Sequence, residues 1–136
     1  MIRSIEAHDF SSIRELIQSV PGLWHEEWRS DALEQACRAS NGLAFVWEED
    51  KKILGFSCAH DVGFLAYLSL LVVVESARGQ GIATQLIRHT EQTLIERGCA
   101  TLISDVWSDA VGFYQSIDWS PPAAVLLRHR LTKSSA

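Results

Sequence analysis

Leu68-Ser69-Leu70-Leu71-Val72-Val73-Val74, followed three residues later by Arg78-Gly79-Gln80-Gly81-Ile82-Ala83, decides the fold of this chain. The first run is apolar on both alternating faces, as a strand covered on both sides of a sheet must be. Behind the glycines, Ile82, Leu86, Ile87, Thr90, Leu94 and Ile95 recur at helical spacing, and Gly98 supplies a C-terminal stop. The order is therefore buried strand, glycine turn and helix. A helix start carries N–H groups without intrahelical acceptors at the positive end of its dipole. Gly79 and Gly81 let the backbone approach an anion, Ala83 allows a tight first turn, and Arg78 adds a fixed charge. The turn reads as a receiver for a phosphate-bearing ligand.

Working outward, residues 2–6 alternate as a short strand, and Asp9 or Ser11 can cap a helix with Ile13, Leu16, Ile17 and Val20 on one face. Pro21-Gly22 ends that helix. An aromatic and acidic connector, residues 23–28, leads to a second helix that starts at Ser30 or Asp31, runs through Leu33, Ala36 and Cys37, and stops at Asn41-Gly42. Residues 43–48 and 53–60 read as antiparallel strands across a polar turn, and 66–74 as the middle of the sheet. Residues 101–106 form a strand parallel to it, because a helical crossover joins them. Ser108 or Asp109 caps a short helix through Phe113 and Tyr114. After Pro121-Pro122, residues 125–131 are expected to close as a last strand whose exposed edge would let two copies pair as a homodimer.

The chain has 136 residues, enough for one domain with a core, and is 47% hydrophobic and 21% charged, which is globular composition. Its net charge of −5, from 12 Lys and Arg against 17 Asp and Glu, provides no positive field for nucleic acid. No apolar stretch approaches the roughly 20 residues of a membrane span. Neither nucleic acid nor membrane is an expected partner. The odd, scattered set Cys37, Cys58 and Cys99 reads as structural thiols in a reducing compartment, so the cytoplasm is the expected location. The histidines show no metal spacing, and no metal is expected. The glycine turn lacks the Gly-Lys-Ser/Thr of a Walker loop. It also lacks a dinucleotide fingerprint, since Thr84 stands where a third glycine belongs and Cys99 where an acidic residue would follow.

What the turn does resemble is the signature of the Gcn5-related N-acetyltransferases (GNAT): Arg or Gln, two residues, Gly, one residue, then Gly or Ala, placed after a central strand. Arg78, Gly81 and Ala83 match it. A second signature, Ala-x-x-x-Tyr with an aromatic beyond, is matched by Ala110, Tyr114 and Trp119, with Trp107 where the family often has Asn and Asp118 where it usually has Gly. The resemblance runs over residues 2–131. It implies a GNAT domain over 1–131, a mixed α/β fold whose central sheet has splayed parallel strands flanked by helices, and a polar tail at 132–136.

The resemblance further implies acetyl-CoA as cosubstrate and transfer to a primary amine of a small molecule or protein in a ternary complex. Pantetheine would lie along Leu71, Val72 and Val73, and the diphosphate on Arg78, Gly79, Gln80, Gly81, Ile82, Ala83 and Thr84. Tyr114 would be the general acid for the departing thiolate and the Val73 N–H the oxyanion donor. The central strand lacks the glutamate many relatives use as base, which leaves His25, Glu26, Glu27, His60 and Asp61 as alternatives. Trp24 and Trp28 would offer aromatic faces to an amine. The missing glutamate equally suits a CoA-binding module without catalysis.

Overall fold

The computed structural model describes residues 1–131; the expected polar tail at 132–136 lies outside them. The chain forms two compact units, Met1–Ser104 and Asp105–Ala136, the second described as far as Leu131.

The first unit is a five-stranded sheet in the order β1-β2-β3-β4-β5. Its strands are β1 (Ile2–Ser4), β2 (Ala44–Glu49), β3 (Lys52–Asp61), β4 (Ala66–Val73) and β5 (Leu102–Ser104). Each of the first four is antiparallel to its neighbours among them, and β5 runs parallel to β4. Helices α1 (Phe10–Gln18) and α2 (Ala32–Ala39) cover one face, and α3 (Ile82–Glu96) the other. Each expected element down to β5 is present, within a few residues at its ends.

Alternation along the strands sorts the two faces. Ala44, Val46, Phe56, Cys58 and Val72 pack with Ile13, Leu16 and Ile17 of α1 and Leu33 and Cys37 of α2. Each of the large aliphatic side chains buried there contributes about 1.5–3 kcal/mol. On the other face Gly55 admits α3 closely: a Cβ there would lie 3.0 Å from the Ile82 Cγ2 and 3.1 Å from the Leu86 Cδ1. That glycine holds down the first turn of α3.

Asp9 does not cap α1 through its side chain. It is buried instead, and both its oxygens accept from the Arg3 guanidinium at 2.8 and 2.9 Å while the Glu6 N–H donates at 2.8 Å. Arg3 thereby holds the Asp9 carboxyl below the ordinary carboxylate range and ties β1 to the start of α1.

In the second unit a 3-10 turn at Ser108–Ala110 leads into α4 (Val111–Ser116). Asp118 sits at φ 75°, in the left-handed backbone region that Asp tolerates better than most residues. The strand expected at 125–131 is absent: among the described residues nothing beyond α4 is helix or strand, and Val125, Leu127 and Leu131 are exposed. Pro121-Pro122 removes two N–H donors, and the described residues form no ladder there for the apolar run to join. The paired-edge dimer loses its basis with that strand. No helix of the described residues is long and apolar enough to cross a membrane.

Candidate active site

Two features of the first unit flank the end of β4. One is made of backbone and the other of side chains.

The backbone feature begins where two parallel strands part. Pairing between β4 and β5 covers only Ala66, Tyr67 and Leu68 against Leu102, Ile103 and Ser104. The Ser104 hydroxyl ends the ladder by donating to the Leu68 carbonyl at 2.9 Å. Beyond this fork, the Val74 N–H still bonds across to the Leu54 carbonyl of β3 at 2.8 Å. Alternation then turns the N–H and C=O of Leu71 and Val73 to the opposite edge, where β5 no longer pairs, and those of Val72 toward β3. Of the three strand residues expected to meet a cosubstrate arm, Leu71 and Val73 present their polar backbone to that edge and Val72 does not.

The chain then passes a 3-10 turn, Glu75–Ala77, and reaches the glycines. Gly79 and Gly81 have φ of 80° and 82°, a region in which L side chains are strained, and a Cβ on either would meet nothing within 4 Å. The requirement there is conformational, and the space beside the turn is open. The first helical bond of α3 runs from the Gln85 N–H to the Gly81 carbonyl at 3.0 Å. The N–H groups of Ile82, Ala83 and Thr84 thus have no intrahelical acceptor. Arg78 is tethered alongside, its Nε donating to the Val73 carbonyl at 3.2 Å. Donors, dipole and guanidinium together suit a diphosphate.

The side-chain feature is a cavity of about 300 Å³ between the α1–α2 layer and the sheet. Trp24, Trp28, Leu33, Phe56 and Leu70 give it an apolar wall, its polar lining is Arg29, Cys58 and Ser69, and none of its lining residues is acidic. Trp24 and Trp28 meet edge to face at 5.3 Å. Each has a covered face: Arg14 lies 5.3 Å over Trp24, and the His25 ring stacks on Trp28 at 5.0 Å. The indoles therefore frame the cavity more as walls than as open cation-binding faces. That departs from the role their sequence position suggested.

Ser69 and Leu70 are sequence neighbours, yet both line this cavity. A regular strand would send them to opposite faces. The register between β3 and β4 shifts there, with Ala59 opposite Leu68 and Cys58 opposite Leu70, so Ser69 is an extra, bulged residue. The bulge turns Ser69 Oγ toward β3, where it lies 2.7 Å from His60 Nε2 and donates to the Cys58 carbonyl at 3.2 Å. Cys58 Sγ approaches the same His60 nitrogen at 3.8 Å.

The charges of this group are coupled. Hydrogen bonding with Cys58, then burial, pushes the Cys37 thiol up, and the same bond pulls Cys58 down to about 6. His60 is raised, first by Cys58, against the opposing effect of burial. All three cysteines are free, and the buried Cys58 is in contact with His60.

Of the candidate bases, His60 lies in hydrogen-bonding distance of a cavity-lining side chain, Ser69. Glu26 and Glu27 are exposed and do not line it. His25 stacks on Trp28, and the Asp61 carboxylate accepts the Gly63 N–H at 2.9 Å in the turn after β3. Tyr114, in the second unit, is buried and meets Phe113 and Trp119 edge to face at 5.3 and 4.9 Å. One group of possible metal-binding atoms occurs among the described residues, Glu6, His8 and Asp9 within 4.8 Å, although Asp9 already serves Arg3.

Residues 9–119 match the acetyltransferase (GNAT) family. The acetyltransferase Atu2258 of Agrobacterium fabrum is 32% identical over 71 residues, 52% of this chain and 52% of that protein. The chain so spans about half the length of that curated relative. Among solved structures, the aminoglycoside acetyltransferase meta-AAC0020 from an uncultured soil metagenomic sample, in complex with sisomicin, superposes with a TM-score of 0.77 at 20% identity, covering 98% of this chain and 96% of that one. AAC(6')-Iy in complex with the bisubstrate analogue CoA-S-monomethyl-acetylneamine gives 0.77 at 20% identity, over 96% and 97%. At such identities these two structures share the fold alone.

Proposed function

The chain belongs to the acetyltransferase (GNAT) family, and we propose from that premise that it transfers the acetyl group of acetyl-CoA to a primary amine by direct attack in a ternary complex. The observation that carries the reading is the edge of β4 at Leu71 and Val73 that β5 leaves unpaired, its Val73 carbonyl held by Arg78, running into a glycine turn that ends on helix N–H groups without an intrahelical acceptor. An amide-rich pantetheine arm satisfies such an edge, and a diphosphate satisfies such a turn. In this reading Leu71 and Val73 bind the arm through main-chain groups, with Val72 contributing side-chain bulk. Arg78, Gly79, Gln80, Gly81, Ile82, Ala83 and Thr84 hold the diphosphate. Bound acetyl-CoA supplies an activated thioester. The Val73 N–H is the oxyanion donor, and Tyr114 protonates the leaving thiolate, a role resting on its place in the family pattern.

The acceptor in this reading is a small amine on a compact apolar body. A volume of about 300 Å³ lies at the low end for ligand sites. Polycationic aminoglycosides, the substrates in the names of the solved neighbours, would want acidic partners, and the cavity lining has none. A cytoplasmic location belongs to the same reading and is supported by the free cysteines.

Titration calorimetry with CoA and with ATP tests the donor half. The expected result is saturable binding of CoA alone; binding of ATP with no response to CoA contradicts it. Thiol release from acetyl-CoA over an amine panel tests the acceptor half. Small arylalkylamines are expected to be turned over, and CoA binding without turnover of any amine would favour a non-catalytic module.

A further inference from the structure

His60 and Ser69 are in contact at the cavity wall because of a backbone irregularity. Without the bulge, Ser69 would occupy the opposite face from Leu70 and could not reach His60. Instead Ser69 Oγ is exposed at the cavity and 2.7 Å from His60 Nε2. The hydroxyl has one proton and two acceptors in reach, the imidazole nitrogen and the Cys58 carbonyl at 3.2 Å. That is the geometry of a group able to pass a proton and then settle in a second hydrogen bond.

We propose that Ser69 and His60 form the proton relay that deprotonates the acceptor ammonium in this cavity. The proposal rests on the acetyltransferase reading above. As the ammonium N–H bond breaks, its proton forms a new O–H bond at Ser69 Oγ, and the electron pair stays on nitrogen for attack. The original Ser69 proton passes to His60 Nε2, which becomes an imidazolium. The imidazolium then donates from Nε2 to Ser69 Oγ, while the hydroxyl turns to the Cys58 carbonyl. His60 is half-buried, and returns the proton to water. The relay spans two neighbouring strands, with Ser69 on β4 and His60 on β3.

The groups around His60 decide its proton affinity. Cys58 faces it from β3, with Cys37 of α2 behind and Glu34 raising Cys37 in turn; the Ala39 main chain bonds the ring. Tyr67 stands opposite on β4, and Asp61 is next along the chain. Cys58 favours the imidazolium most, so the ring titrates above its ordinary value. It must be neutral to accept the proton, and activity therefore rises with pH through that raised value.

The test uses the full chain with acetyl-CoA and phenethylamine, read by thiol release across pH, for wild type, Ser69→Ala and His60→Gln, with melting curves as the check on folding. A second probe, phenylhydrazine, is of similar size but neutral at pH 7. Both variants are expected to lose about 100-fold in kcat/KM for phenethylamine at pH 7. Their rise with pH should move to about 10, where an alkylammonium deprotonates unaided. With phenylhydrazine the loss should be at least tenfold smaller. Equal losses on both probes, or unchanged pH profiles in folded variants, would overturn the relay and leave the acetyltransferase reading standing. A wild type that binds CoA but turns over neither probe would overturn the reading and the relay with it.

Discussion

The two features beside β4 differ in the material they are made of. In the proposed reading the turn at 79–84 and the edge at Leu71 and Val73 act through main-chain groups, which any side chain can carry so long as the backbone conformation is held. In the same reading the cavity would act through side chains, Trp24, Trp28, Cys58 and Ser69 among its lining, whose identities would define the site. On that reading the fold would keep one donor while its acceptor varied with a handful of substitutions. Mutations should consequently act on the first feature by changing conformation and on the second by changing chemistry.

The largest effect is expected at Gly81. Its φ of 82° is strained for any branched residue, and Gly81→Val is expected to cost about 1–3 kcal/mol in holding the turn. Calorimetry should show CoA affinity falling about tenfold or more, with the cavity unchanged by tryptophan fluorescence. Gly81→Val that binds CoA as wild type does would dissolve the contrast, because the turn would then not depend on backbone geometry.

Asp9 comes next, on the side-chain half. Replacing it with Ala leaves Arg3 without its bidentate partner beside α1, and such losses cost about 3–5 kcal/mol when both charges are buried; the partial exposure of Arg3, 23%, brings the expectation down to about 2 kcal/mol. The sign with pH follows from the lowered Asp9 value. Its contribution is complete above the unfolded carboxylate value of about 3.9 and disappears as pH falls through the folded one. Chemical denaturation between neutral pH and pH 3 should show a shallower acid decline for Asp9→Asn than for wild type.

Gly55→Ala crosses the comparison, since its methyl would press on Ile82, the first residue of α3, and on Leu86. Overpacking of this kind costs about 1–3 kcal/mol. Melting should fall, and CoA binding should weaken more than acceptor turnover at saturating CoA. The smallest effect belongs to Ser57→Ala. The Ser57 hydroxyl is fully buried and has no hydrogen-bond partner. Removing it should leave melting unchanged or raise it by about 1 kcal/mol equivalent.

The same contrast explains what could be read from the chain alone. Gly79, Gly81 and the apolar run before them announce strand, turn and helix, because positive φ and burial leave marks in residue type. Asp118 was legible for the same reason, as a residue tolerant of left-handed backbone. The bulge at Ser69 left no such mark. A bulge is a mismatch between two strands, and nothing in residues 66–74 shows that one residue lacks a partner on β3. His60 could be named as one of several candidate bases, but its selection needed the register. The run at 125–131 misled because its apolar side chains record a preference for burial, while a strand also needs a neighbour to pair with.

The most direct test of the donor site is backbone amide NMR of the labelled protein during titration with CoA. The account predicts saturable shifts concentrated at Leu71, Val73 and the amides of residues 79–84, with the indole signals of Trp24 and Trp28 little changed. Saturable shifts centred on the cavity residues, with the 79–84 amides unmoved, would contradict it.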